Sequence, residues 1–115
     1  MAFGDFLLIV SFDLSKKEEL KTEPCIEVEF RVDNDAKYQN ACLGKMIDSG
    51  TQKELYWYGL TSDGMEAYDY YSIEHFINAK VFNGKSIKEI WELISIISVD
   101  ASDVKEQILF YKSNT

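Results

Sequence analysis

From Cys25 to Val32 the chain alternates apolar and polar residues without interruption. Ile26, Val28, Phe30 and Val32 fall on one side, Glu27, Glu29 and Arg31 on the other. Successive side chains of a strand point to opposite faces, so this is a strand with one buried and one solvated face. Such a strand belongs to an antiparallel sheet open to water on one side, because parallel sheets are covered on both. The rest of the chain must then supply neighbouring strands and a cover for the apolar face.

Other segments fit that frame. Asp5–Phe12, a short run rich in Phe, Leu, Ile and Val, reads as a buried strand. Residues 15–23 are polar and read as a loop or short helical turn. Asp33-Asn34-Asp35 is a turn signal. Ala41–Ile47 is a weaker strand, with Gly44 as a candidate bulge. Ser49-Gly50 turns the chain into Glu54–Leu60, a strand with Tyr and Trp in succession. Ser62-Asp63-Gly64 fits a tight hairpin into Met65–Tyr71. Ser72–Lys80 is compatible with helix or strand. Asn83-Gly84 is a turn, and Ser86-Ile87-Lys88-Glu89 is a capping box. The box predicts a helix with Ile87, Ile90, Trp91, Ile94 and Ile97 on one stripe. Asp103–Glu106 is a second possible box, but Ile108–Tyr111 is read instead as a closing strand. The expected fold is α+β: a mostly antiparallel sheet of about five or six strands, with one main helix of the C-terminal half packed on one face. At 115 residues the chain suffices for a single domain, residues 1–115, and not for two.

Charge is unevenly distributed. The net charge is −8, which opposes contact with nucleic-acid backbones and anionic membranes and suits a basic protein partner. Residues 54–79 carry five acids (Glu54, Asp63, Glu66, Asp69 and Glu74) and no Lys or Arg. The same stretch holds Tyr56, Trp57, Tyr58, Tyr68, Tyr70, Tyr71 and Phe76. Tyr and Trp combine a rigid apolar body with a polar tip, as interface hot spots require. Carboxylates beside aromatic rings suit surfaces rich in Lys and Arg. The candidate partner-binding residues are therefore Glu54, Tyr58, Asp63, Glu66, Tyr68, Asp69, Tyr70, Tyr71 and Glu74.

Catalytic and metal-binding signals are weak. His75 is the only histidine, and Cys25 and Cys42 stand apart, which makes a poor zinc set and a poor nucleophile–base pair. Two separated thiols fit a reducing, cytoplasmic setting. No glycine-rich phosphate loop or calcium loop is present. No catalytic residue, metal ligand or cofactor is expected. The alternative is a small α+β ligand-binding domain or enzyme. In it Tyr56, Tyr58, Tyr70 and His75 would line a pocket, with Asp69 or His75 as acid or base.

The run Val81-Phe82-Asn83-Gly84-Lys85-Ser86-Ile87-Lys88-Glu89-Ile90-Trp91 resembles turn-to-helix stretches of bacterial toxin-immunity proteins. The small, acidic, motif-free chain is similar in character to immunity proteins of contact-dependent growth inhibition and related polymorphic toxin systems. That resemblance implies an inhibitor that binds a toxin nuclease domain with its acidic face.

Overall fold

The alternating segment forms strand β1 (Ile26–Val32), buried at every apolar position and exposed at every polar one. It sits near the middle of a five-stranded sheet with β2 (Ala41–Ile47), β3 (Glu54–Gly59), β4 (Ala67–Tyr70) and β5 (Ile94–Val99). The order is β4-β3-β2-β1-β5, and every pairing is antiparallel. Four helices complete the α+β fold: α1 (Phe3–Val10), α2 (Leu14–Glu19), α3 (Ile73–Asn78) and α4 (Val104–Ser113). The structure is a computed structural model and describes residues 1–115.

The register stacks apolar residues in rows across the strands. Val28 lies opposite Leu43, Leu43 opposite Tyr58, and Tyr58 opposite Tyr68. Phe6, Ile9 and Val10 of α1, together with Phe12 and Leu14, join this inner face in one core. Phe76 of α3 stacks on Tyr58 with ring centroids 4.2 Å apart, and the Tyr58 hydroxyl donates to the Phe76 carbonyl at 2.8 Å.

Three segments depart from expectation. Asp5–Phe12 is not a strand: helix α1 ends at Val10 and the chain turns at Ser11 and Phe12. Its buried residues, Phe6, Ile9 and Val10, have i, i+3, i+4 spacing, which a continuous apolar run conceals. The helix expected from Ser86 onward stops after one turn. The capping box does form, with the Ser86 amide on Glu89 Oε1 at 3.1 Å and the Glu89 amide on Ser86 Oγ at 3.2 Å. A short 3₁₀ turn at Trp91–Leu93 then leads into β5. Ile94, Ile96 and Val99 enter the sheet beside Val32, Phe30 and Val28. Pairing with an otherwise open edge of β1, by β-branched residues suited to it, overrides the local helix signal. The expected closing strand Ile108–Tyr111 lies in helix α4, where Asp103 accepts the Glu106 amide at 3.1 Å. The main C-terminal helix is thus α4, and the closing strand precedes it.

Local signals elsewhere are realised in part. Ser72 caps α3 through the His75 amide at 3.1 Å. Asn83 and Gly84 take φ of 54° and 82°, the left-handed pair that a tight turn demands. Gly44 is not a bulge, since the ladders on both sides of β2 run through it in register. The irregularity lies at Glu29–Phe30 against β5.

Two buried lysines tie the helical layer to the sheet. Lys17 of α2 is 3% exposed. Its ammonium donates to the Cys25 carbonyl (2.7 Å), Asp100 Oδ2 (3.1 Å) and the Tyr111 hydroxyl (2.7 Å). Tyr111 in turn donates to Asp100 Oδ2 at 2.5 Å, and Asp100 Oδ1 accepts the Glu27 amide at 3.1 Å. Lys45 of β2 donates to the Phe12 carbonyl at 2.8 Å. It also forms an ion pair with Glu54 Oε2 at 2.6 Å.

Replacing Lys17 by Met leaves Asp100 and the Cys25 carbonyl without their cation. It should destabilise the fold by about 3 kcal/mol in urea unfolding, as removal of one partner of a buried pair does. A second expectation concerns pH. Glu89 is held down at about 2, from an ordinary value of 4.5, first by the Lys80 ammonium and then by Ser86. A lowered carboxylate stabilises the fold above its unfolded value, and that contribution is lost as pH falls through the folded value. The Tm gap between the wild type and Glu89→Gln should be full above pH 4.5 and close as pH approaches 2. Because the pair is exposed, salt should shrink the gap.

Candidate functional site

The inner-face rings of Phe30, Tyr56 and Tyr58 are buried in the core, so the candidate surface is sought on the other side of the sheet. The same register that builds the core builds the opposite face. Glu27 lies opposite Gly44, Gly44 opposite Trp57, and Trp57 opposite Asp69, one row across four strands. The next row runs Ser98, Glu29, Cys42, Gly59 and Ala67. Met46 pairs with Leu55 in the row on the other side. Glu27, Glu29, Met46, Ala67 and Asp69 are exposed, and Leu55 and Trp57 are half-buried.

Trp57 lies flat on this face because the floor beneath it has no side chain. A Cβ added to Gly44 would overlap the Ile26 carbonyl oxygen and stand 2.6 Å from ring atom Cζ2 of Trp57. At Gly59 it would stand 3.6 Å from Trp57 Cζ3. Gly44 is therefore a close-approach glycine. The result is a shallow apolar centre, Met46, Leu55 and Trp57, with carboxylates of β1 on one side and of β4 on the other. A rigid aromatic centre within a polar rim is the usual anatomy of a protein-binding patch.

The nine candidate residues are placed differently. Tyr58 must be corrected: at 1% exposure, stacked on Phe76, it belongs to the core and no partner can reach it. Tyr68 and Tyr70 are half-buried toward the inner face, Tyr70 against Tyr58 and Phe76. The rings of Tyr56, Tyr58 and Tyr70 thus pack around Phe76, and His75 is exposed on α3. Among the acids, Glu54 is engaged by Lys45. Glu66 meets Lys37 at 2.5 Å and accepts from the Tyr38 hydroxyl at 2.9 Å, and these contacts hold its carboxyl below the usual range. Asp63 is lowered by Thr61 and the Met65 amide as it closes the β3–β4 loop. Tyr71 is exposed, and its hydroxyl donates to Asp48 at 3.1 Å. Asp63, Asp69 and Glu74 are exposed and take part in no ion pair, but the Asp63 carboxylate is occupied by its loop, which leaves Asp69 and Glu74 free. Asp69 alone joins the Trp57 row.

Glu27, Glu29 and Trp57 are the site residues that the nine candidates lacked. The alternation of Glu54–Leu60 does separate Trp57 from Tyr56 and Tyr58. Glu27 and Glu29, however, are distant in sequence, and only the register brings them beside Trp57. The two acids also reach Cys42, whose thiol is pushed up first by burial and then by Glu27 and Glu29. Cys25 is raised as well, by burial and by Glu23. Both thiols are held in their protonated, less nucleophilic form.

No protein-family model, curated protein or solved structure matches this chain. No helix is long and apolar enough to cross a membrane. The outer sheet face must accordingly be interpreted from its own chemistry.

Gly44→Ala should cost about 2 kcal/mol in urea unfolding, as overpacking in a close-packed site does. It should also lift the indole of Trp57 and red-shift the emission. Trp57→Leu in the same background should recover part of the loss, because one of the two collisions is then gone.

Proposed function

We propose that this protein is an inhibitor of the immunity type, which neutralises a basic toxin domain, of the nuclease kind, by covering its substrate-binding surface. The observation that carries the reading is the open sheet face, where Trp57 lies flat over Gly44 between Glu27 and Asp69. A nuclease presents a basic surface to its phosphate substrate. An acidic face with an aromatic centre complements it in charge, in apolar area and in the capacity for cation–π contacts. The net charge of −8 adds long-range attraction that accelerates encounter at low salt.

The face favours this reading over an acidic protein that is charged for solubility alone. Solubility needs no flat Trp, and it gains nothing from a glycine floor that any side chain would obstruct. The docking centre is also preorganised: a two-χ ring held against a sheet loses little conformational freedom on binding.

Growth rescue tests the proposal. The chain is co-expressed with toxin domains encoded beside it, and affinity is measured on the purified pair. Wild type should restore growth, with affinity that falls as salt rises. Trp57→Ala combined with Asp69→Lys should weaken binding at least about a hundredfold, given hot-spot and charge-reversal costs, while the melting curve stays cooperative. The reading fails if no neighbouring basic toxin domain is neutralised, or if the double variant protects as well as wild type.

A further inference from the structure

Beside the Trp57 face, a cleft of about 380 Å³ opens between β1, the Asp100–Ser102 turn and α4. Glu27 and Glu29 line it as well as the sheet face, Glu23 flanks them, and Phe110 and Gln107 of α4 form the far wall. We infer that this cleft receives one arginine side chain of the basic partner, and so anchors the docking that the sheet face begins. The inference rests on the proposed reading that the partner is basic.

Four observations carry it. First, the cleft is continuous with the open face, because the same two carboxylates belong to both. Second, Glu23, Glu27 and Glu29 take part in no ion pair, so their charge is available to a guest. Third, the one cation of the cleft is closed off: Lys17 is 3% exposed and is engaged by the Cys25 carbonyl, Asp100 and Tyr111. Its charge is matched by Asp100, and the accessible walls are left acidic. Fourth, the half-buried Phe110 ring supplies an apolar surface for an alkyl stem and a face for a cation.

Geometry selects arginine over lysine. Glu27 and Glu29 are two residues apart on one face of β1, so they emerge about 7 Å from each other. A planar guanidinium donates from two edges at once and can bridge both carboxylates. An ammonium is a compact, strongly hydrated point charge that satisfies one well.

The test needs no knowledge of the partner. The ¹⁵N-labelled full chain is titrated with N-acetyl-argininamide, and in parallel with N-acetyl-lysinamide, the neutral isostere N-acetyl-citrullinamide and inorganic phosphate. The arginine probe should give saturable amide shifts confined to Glu27, Glu29, Ser102 and Gln107, with Kd on the order of 1 mM for a ligand of this size. The lysine probe should bind at least about threefold more weakly, and the citrulline probe should give no saturable shift. Glu27→Gln with Glu29→Gln, both at exposed positions, should abolish the arginine response while the remaining spectrum is preserved. Absent or delocalised shifts, an equal response to citrulline, an undiminished response in the double variant, or saturable phosphate binding at Lys17 would each overturn the inference. The titration leaves Trp57 and Asp69 untouched. Failure here with loss of protection in the Trp57/Asp69 variant discards the cleft alone, and the converse result discards the sheet face alone.

Discussion

The cross-strand register of β1, β2 and β3 is the constraint on which the rest of the structure depends. It aligns Val28, Leu43 and Tyr58 on the inner face and, one residue out of phase, Glu27, Gly44 and Trp57 on the outer face. A slip of one residue would exchange the two sets, burying carboxylates and exposing the core. The apolar burial that fixes the core therefore fixes the composition of the open face as well. Gly44 reinforces that register, because only a residue without Cβ fits between the Ile26 carbonyl and the Trp57 ring.

Charge is organised on the same plan. Although the chain carries a net charge of −8, many of its carboxylates have internal work. Asp100 and Glu54 compensate the buried lysines Lys17 and Lys45, Glu66 binds Lys37, and Glu89 joins Lys80 and closes the capping box. Asp13, Asp35 and Asp103 cap helical turns. The carboxylates without such roles include Glu27, Glu29 and Asp69, and these three border Trp57 or its neighbouring row. Three carboxylates free of ion pairs thus share the outer face of the sheet.

How much could be read in advance differs from segment to segment, for identifiable reasons. The β1 alternation, the Asn83-Gly84 turn and the capping box at Ser86 are local features, and all three are present. The strand that succeeds the box was not legible. Ile94–Val99 is a strand because the edge of β1 needs a partner, and that need is distant in sequence. The apolar run Phe6–Val10 satisfies a buried helix and a buried strand equally well until its neighbours are in place. The site shows the same division. Asp69 and the aromatic segment were visible, but Tyr58 proved to be core, and Glu27 and Glu29 lay outside the stretch that composition singled out.

The amino-acid sequence by itself determined the α+β class, the half-solvated strand β1, the Asn83-Gly84 turn, the capping box at Ser86 and the negative charge. Each of these rests on interactions among residues a few positions apart or on a simple sum over the chain. Tertiary structure alone decided which carboxylates are neutralised within the fold, which rings are core, and which face of the sheet stays open. Those outcomes depend on contacts between residues far apart in the chain, such as Lys17 with Asp100 or Glu27 with the Trp57 row. No local pattern encodes them, because their energy exists only once the strands are in register.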